Sequence, residues 1–155
     1  MSEEGFVEAL GWVFEDSPWV AQRTWIKRPF ADVTSLHQAM VEVVREASLD
    51  EQFALIRAHP DLATKAKMSA SSVQEQAGAG LDQLAAQEYD RFQSLNQAYK
   101  AKFGFPFIIA VKNNTKDSIL EAFSTRLENT QEVELKRVLA EIEQIAWFRL
   151  SATAP

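Results

Sequence analysis

The chain has two histidines, and one of them stands in a sequence context that suits proton transfer. His59 directly precedes Pro60, which biases its backbone away from helical angles, and residues 60–63 have the pattern of a first helical turn. This pattern predicts His59 at a helix N-terminus, where the helix dipole disfavours the imidazolium ion. A neutral imidazole can take or give a proton near pH 7. The carboxylate of Asp61 opposes the helix dipole, because a nearby negative charge favours the imidazolium ion. A structural histidine at a helix joint is the competing interpretation.

The other histidine, His37, follows Leu36 in a segment with helical spacing of apolar residues, and we expect it to be solvated on the helix surface. The chain has no cysteine and no pair of histidines at metal-ligand spacing, so no metal site is expected. It also lacks the Gly-x-Ser-x-Gly turn of serine hydrolases, which argues against a serine triad.

A compact set of hydrogen-bonding side chains lies at 72–76, with the sequence Ser-Val-Gln-Glu-Gln. Ser72 and Glu75 are three residues apart, as in a capping box at a helix start. The alternative is a ligand site that uses these donors and acceptors. Gly78 and Gly80 follow, and because glycine inside a helix costs about 1 kcal/mol relative to alanine, we expect a close approach of another element or a ligand there.

The segment 103–111, Phe-Gly-Phe-Pro-Phe-Ile-Ile-Ala-Val, departs from the helical pattern. Aromatic and β-branched residues interrupted by glycine and proline favour a buried extended stretch, whose backbone groups would need partners other than a neighbouring strand. A bound polar ligand is one such partner. The segment could instead re-enter a helix after Pro106, and the residues alone leave both interpretations open.

The elements that must position these residues are helical. Apolar residues recur at steps of three or four through most of the chain, and Ser48 to Glu51 forms a capping box before a helix that reaches about Arg57. Ser17 and Pro18 are expected to start another helix as N-cap and first helical residue. The sequence therefore predicts one all-α domain over 1–155, a bundle of about eight helices around a buried non-helical FGFPF segment. The predicted helical segments are 6–14, 20–26, 36–47, 49–57, 89–103, 119–127 and 135–150.

Charge and composition narrow the function. The chain carries 22 acidic and 16 basic residues, a formal net charge of -6, with no basic stripe, which argues against a nucleic-acid partner. No apolar stretch approaches the length of a membrane span, so no membrane association is expected. The absence of cysteine suits a reducing compartment, and we expect a cytoplasmic protein.

Three segments together resemble the signatures of one family. They are AHPDLA at 58–63, SVQEQAGAGL at 72–81 and FGFPFIIAVK at 103–112, and the likeness extends to WVFEDSPWV at 12–20, RPF at 28–30 and LNQAY at 95–99. In this order they resemble the 2-oxo-4-hydroxy-4-carboxy-5-ureidoimidazoline (OHCU) decarboxylases across nearly the whole chain.

The resemblance implies an all-helical enzyme, often a homodimer, that converts this small ureidoimidazoline to (S)-allantoin in urate breakdown. It implies His59 as the catalytic proton donor, and we expect Glu75 to orient His59 and hold substrate donors. No cofactor is expected, because the imine and carbonyl groups of the substrate can take up the electrons left by CO2. Lys112 occupies a position where a basic residue is common in the family. The implied substrate contacts are Pro60, Ser72, Val73, Gln74, Glu75, Gln76, Phe107, Ile108, Ile109, Ala110 and Val111.

Two other functions fit part of the pattern. A non-catalytic helical module could use 103–111 as a hydrophobic docking groove. A ureide hydrolase could use His59 to activate water. Release of CO2 and formation of a single allantoin enantiomer would distinguish the decarboxylase from both.

Overall fold

A computed structural model of the chain describes residues 2–63 and 68–153, and all regular secondary structure in those ranges is helical. The predicted all-α class and helix number are confirmed for this part of the chain. One 3₁₀ turn, Val111–Asn113, lies between the sixth and seventh helices. The α-helices are α1 (Glu3–Leu10), α2 (Trp19–Trp25), α3 (Val33–Glu46), α4 (Leu49–Arg57), α5 (Ala70–Gly78), α6 (Ala86–Phe103), α7 (Lys116–Arg126) and α8 (Gln131–Thr153).

The chain forms two compact units. The terminal unit comprises the residues up to 58 together with those from 142 onward, and the central unit comprises 59–141. None of the helices in the described ranges is long and apolar enough to cross a membrane.

In the terminal unit, α1 packs on α2 and α2 packs on α3. An ion pair between Arg149 and Glu15, 3.0 Å apart, is almost fully buried. Arg149 also donates to the carbonyl oxygens of Trp12 and Val13, each at 3.3 Å. These bonds hold residues 12–15 in a non-helical course in which Val13, Phe14 and Glu15 are buried, so the prediction of one helix over 6–14 is wrong beyond Leu10.

Three local expectations in the terminal unit have different outcomes. The capping box of Ser48 and Glu51 is confirmed at the start of α4. Ser17 is not an N-cap, since its hydroxyl donates to the carbonyl of Glu15 at 2.8 Å and Pro18 takes the cap position. His37 is not a solvated residue: it is half-buried, its Nε2 lies 2.8 Å from the carbonyl oxygen of Glu143, and its ring meets Trp147 edge-on.

The central unit is built around a cluster of aromatic side chains. Phe107 stacks on Phe123 of α7 with ring centroids 3.7 Å apart, and Tyr99 of α6 meets Phe107 edge-on at 5.2 Å. Phe103 and Phe105 complete the cluster against Tyr99, and all five rings are almost fully buried. Aromatic burial of this kind contributes strongly to core stability, and it fixes the course of the segment after α6.

Candidate active site

His59 lies two residues beyond the last helical residue of α4 and is buried. The prediction that it stands at a helix N-terminus is wrong for the described residues. Pro60 and Asp61 have no regular structure, and Leu62 and Ala63 form a turn in which Ala63 has a φ of 56°. A left-handed residue cannot continue the first turn of a helix, so the helix-dipole argument for a neutral imidazole does not apply.

Helix α5 presents the predicted polar set on two different faces. Ser72 and Gln76, four residues apart, are buried on one face, and Glu75 beside them is half-buried. Val73 and Gln74 are exposed on the opposite side. The capping-box interpretation of Ser72 and Glu75 is wrong, because the N-cap is Ser69, whose hydroxyl accepts from the backbone N–H of Ser72 at 3.2 Å.

Gln76 connects α5 to the loop that follows His59. Its Oε1 accepts from the backbone N–H of Ala63 at 2.9 Å, and its Nε2 donates to the carbonyl of Asp61 at 3.3 Å. The amide of this buried side chain therefore pairs with the loop backbone. Sequence reasoning placed Gln76 among the substrate contacts and did not find this role.

Gly78 is the last residue of α5, and Gly80, two residues further on, has a backbone reason to be glycine. Gly80 has a φ of 80°, its N–H donates to the carbonyl of Ala77, and the N–H of Leu81 donates to the carbonyl of Gln76. This is the hydrogen-bond pattern of a Schellman C-cap, which favours glycine. A Cβ added at Gly78 or Gly80 would meet no atom within 4 Å, so the expected close approach of another element is absent among the described residues.

The segment 104–110 is non-helical, and its residues from Phe105 onward are buried, which confirms the extended interpretation of the FGFPF run. The alternative, helix re-entry after Pro106, is limited to the short 3₁₀ turn that begins at Val111. The backbone of the extended segment forms hydrogen bonds with side chains. The carbonyl of Ile108 accepts from Arg126 at 2.8 Å, the N–H of Ala110 donates to Glu141 at 2.9 Å, and the carbonyl of Ala110 accepts from Asn114 at 2.9 Å.

These hydrogen bonds show which side of the extended segment is bonded to the rest of the protein. In an extended chain successive residues direct their backbone groups to opposite sides. Ile108 and Ala110 direct theirs toward side chains of 114–141. The backbone of Phe107 and Ile109 has no hydrogen bond to any residue in the described ranges. The amides of 107 and 109 are therefore the groups of this segment that a ligand could use.

A buried charged network supports this segment from behind. Arg126 pairs with Glu134 through Nη2 at 2.9 Å, and both side chains are almost fully buried. Tyr99 donates to Glu134 at 2.5 Å and Asn129 donates to it at 2.9 Å. The guanidinium of Arg126 also lies over the ring of Phe107, 4.3 Å from its centroid. The side chain that holds the Ile108 carbonyl is thus fixed by this network.

The network shifts two titrations. Burial raises the pKa of Glu134, but the hydrogen bonds from Arg126, Tyr99 and Asn129 lower it by more, and the net direction is downward. Burial, followed by the bond to Glu134, raises the pKa of the Tyr99 hydroxyl. Glu134 is therefore held as a carboxylate and Tyr99 as a neutral donor at neutral pH.

Sequence reasoning missed Arg126 and Glu134. The signal was available in α7, where Arg126 follows Ile119 and Phe123 at spacings of seven and three and so occupies the apolar face. A charged residue at such a position must be paired within the core.

The structure thus brings the predicted segments together in the central unit. Gln76 of α5 binds the loop that follows His59, and α5 packs on the 3₁₀ turn that begins at Val111. Lys112, in that turn, is exposed. Within 2–63 and 68–153, no group of three or more His, Asp or Glu residues is placed to hold a metal ion.

Comparison with known proteins shows a consistent set of relatives. Residues 1–151 match the family profile described as OHCU decarboxylase. A protein of Halalkalicoccus jeotgali named 2-oxo-4-hydroxy-4-carboxy-5-ureidoimidazoline decarboxylase is 46% identical over 148 residues, which cover 96% of this chain and 84% of that protein. The uric acid degradation bifunctional protein PucL of Bacillus subtilis is 45% identical over 97% of this chain, which corresponds to 31% of its own length.

A solved structure has the same fold. The crystal structure of an (S)-allantoin synthase superposes with a TM-score of 0.79 at 32% sequence identity. The match covers 98% of this chain and 50% of that one, so the likeness concerns half of the longer protein.

Proposed function

This chain belongs to the OHCU decarboxylase family, whose members are carboxy-lyases of urate degradation, and we propose that it forms (S)-allantoin with His59 as the proton donor. The residue assignments are supported by one observation above all. The loop that follows His59, the buried polar face of α5 and the 3₁₀ turn Val111–Asn113, which directly follows the extended segment, meet within the central unit.

The substrate supplies the electron sink for this reaction. When the bond between C4 and the carboxylate breaks, the electron pair forms a C4=C5 double bond and the electrons of the ring imine move onto nitrogen. A proton taken up by that ring nitrogen neutralises it, a second proton added at C5 creates the stereocentre, and the C4 hydroxyl becomes a carbonyl as it loses its proton. One proton is consumed overall and one CO2 is released. We propose that no organic cofactor takes part, because the substrate itself delocalises the charge.

The residues divide this work. We assign the proton to C5 to His59, whose burial beside the rigid Pro60 favours delivery to one face. Glu75 orients the imidazole and accepts from the ureido or hydroxyl group, and Ser72 anchors the polar edge of the ring. The backbone amides within Phe107–Val111, those of 107 and 109 foremost, donate to the ring carbonyls and to the developing charge. Contacts of substrate with Pro60, Val73, Gln74 and Gln76 remain predictions from the family resemblance.

Self-association is a separate proposal. We infer that two copies of the chain form a homodimer, as the family resemblance implies. Large apolar side chains are exposed at Trp12, Ile26 and Leu49, at 38%, 78% and 55%, and would be available for such contacts. Sedimentation equilibrium of the purified chain tests this, and a mass of one chain at micromolar concentration would refute it.

We also propose that the enzyme works in the cytoplasm. The absence of cysteine supports a reducing compartment. A carboxyl-terminal fluorescent fusion that partitions with a cytoplasmic marker is the expected result, and its export would refute the proposal.

The function is tested on the purified wild-type chain with freshly generated OHCU. The expected result is enzyme-dependent CO2 release together with a circular dichroism signal of (S)-allantoin alone. A hydrolase would consume substrate without CO2, and a binding module would leave the rate and stereochemistry of the uncatalysed reaction unchanged.

A further inference from the structure

Helix α6 carries a row of polar side chains that ends on the loop after His59. Gln93, Asn96 and Lys100 are spaced by three and four residues and therefore share one face of the helix. Asn96 is almost fully buried and Gln93 is half-buried. Residues 95–99 belong to a motif that carries the family resemblance, yet the proposed chemistry assigns no role to it.

The row contacts three consecutive loop residues in antiparallel order. Gln93 Nε2 donates to the carbonyl of Ala63 at 3.1 Å, and Asn96 Nδ2 donates to the carbonyl of Leu62 at 2.9 Å. Lys100 Nζ pairs with the carboxylate of Asp61 at 2.9 Å. With Gln76 bound from the other side, the loop is held between α5 and α6.

The loop geometry needs this support. Ala63 has a φ of 56°, a left-handed conformation that non-glycine residues avoid. Its N–H and its carbonyl are both bound, by Gln76 and Gln93. Asn96 is buried although its Oδ1 has no hydrogen-bond partner among the described residues, which is costly for a core position. The hydrogen bond that its Nδ2 donates to the carbonyl of Leu62 is the interaction that offsets this cost.

The position of the loop is transmitted to His59 through a stiff link. Pro60 has a fixed φ, and a residue that precedes proline is restricted to extended backbone angles. Few soft torsions therefore separate the clamped Asp61 from the imidazole. We propose that Asn96, assisted by Gln93, is a positioning residue that aims His59 at the substrate. This inference rests on the proposed function of His59.

The test compares Asn96→Ala with Gln97→Ala, which alters an exposed neighbour on the same helix. We expect Asn96→Ala to lower kcat for (S)-allantoin about 10- to 100-fold with little change in KM, because misplacement of the proton donor affects the transition state more than substrate binding. Gln97→Ala should behave as wild type. An Asn96→Ala enzyme with wild-type kcat would overturn the proposal.

A spectroscopic readout separates positioning from general loss of structure. The chain has two histidines, so the imidazole signals of His59 and His37 can be assigned by NMR with one substitution. In Asn96→Ala the His59 signal should shift or broaden while the His37 signal stays unchanged. A fall in kcat with an unaltered His59 signal would refute the positioning role.

Two further outcomes are informative. If Asn96→Ala does not fold, Gln93→Ala replaces it in the test, because Gln93 is only half-buried, and the same kinetic and NMR criteria apply. If a His59→Asn enzyme keeps full activity, the proposed function of His59 fails, whereas the NMR comparison still shows whether Asn96 places the imidazole.

Discussion

At the scale of single residues, Glu75 is, after His59, the side chain whose proposed role a single substitution tests most directly. It lies on α5, one residue before Gln76, whose amide holds the His59 loop, and it is half-buried. In the proposed mechanism its carboxylate accepts from the imidazole and from the substrate, whereas an amide of nearly the same shape accepts more weakly and carries no charge.

Glu75→Gln should fold normally and lower kcat on the order of 100-fold, the range expected when a proton-transfer group loses its charged partner. Steady-state kinetics by circular dichroism measures this. Glu128→Gln provides the matched control, since Glu128 is exposed and its side chain has no partner among the described residues. Wild-type turnover in Glu75→Gln would remove Glu75 from the mechanism.

The sequence indicated candidate site segments, but it did not reveal the hydrogen-bond partners of the individual side chains. The order of the motifs along the chain indicated His59, the α5 polar set and 107–111. The amide of Gln76 was assigned to substrate but pairs with Asp61 and Ala63, because long-range hydrogen bonds leave no periodic signal in the sequence. His37 was expected in solvent, and its bond to Glu143, 106 residues away, shows the same limit.

At the scale of elements, the helices were predictable and their ends were less so. Spacing of apolar residues predicted α3, α4, α6, α7 and α8 closely, since amphipathic periodicity is a local property. The early end of α1 depends on Arg149, which is distant in sequence. The turn at 60–63 is non-helical because side chains from α5 and α6 hold it, and these hydrogen bonds override the local Pro60 signal.

The end of α5 gives a prediction about stability. Gly80→Ala should destabilise the fold by about 1 kcal/mol, because the left-handed conformation that the Schellman cap requires is strained for alanine. Gly78→Ala, in the last helical position with open space around it, should be neutral or stabilising by about 0.5 kcal/mol. Urea denaturation measures both. Equal effects of the two substitutions would contradict the assigned cap.

At the scale of the whole molecule, both units contain carboxylates whose ionised form the fold favours. In the central unit the pKa of Glu134 is lowered by its hydrogen-bond partners despite burial. In the terminal unit the hydrogen bond from Arg23, followed by the backbone N–H of Ser48, lowers the pKa of Glu51 from 4.5 to about 2. Groups with lowered pKa stabilise the fold above their ordinary pKa and lose that contribution as the pH falls.

Acidification should therefore reduce stability, with a contribution from Glu51 that can be isolated. The stability difference between wild type and Glu51→Gln should be fully present at pH 6 and should shrink between about pH 4.5 and pH 2, as the carboxylate becomes protonated in the folded state. Urea denaturation at pH 6, 4 and 3 measures the difference, with Glu128→Gln as control. A stability difference between wild type and Glu51→Gln that grows as the pH falls would contradict the lowered pKa of Glu51.

His59 is the residue that, in the proposed mechanism, delivers the proton that sets the configuration of allantoin. The most direct measurement is the rate of CO2 release and the enantiomeric composition of allantoin from freshly generated OHCU, for wild type and His59→Asn. We predict that His59→Asn remains folded but loses enzyme-dependent formation of (S)-allantoin by about 10²- to 10⁴-fold. A folded His59→Asn enzyme that retains full, stereoselective decarboxylation would contradict this role.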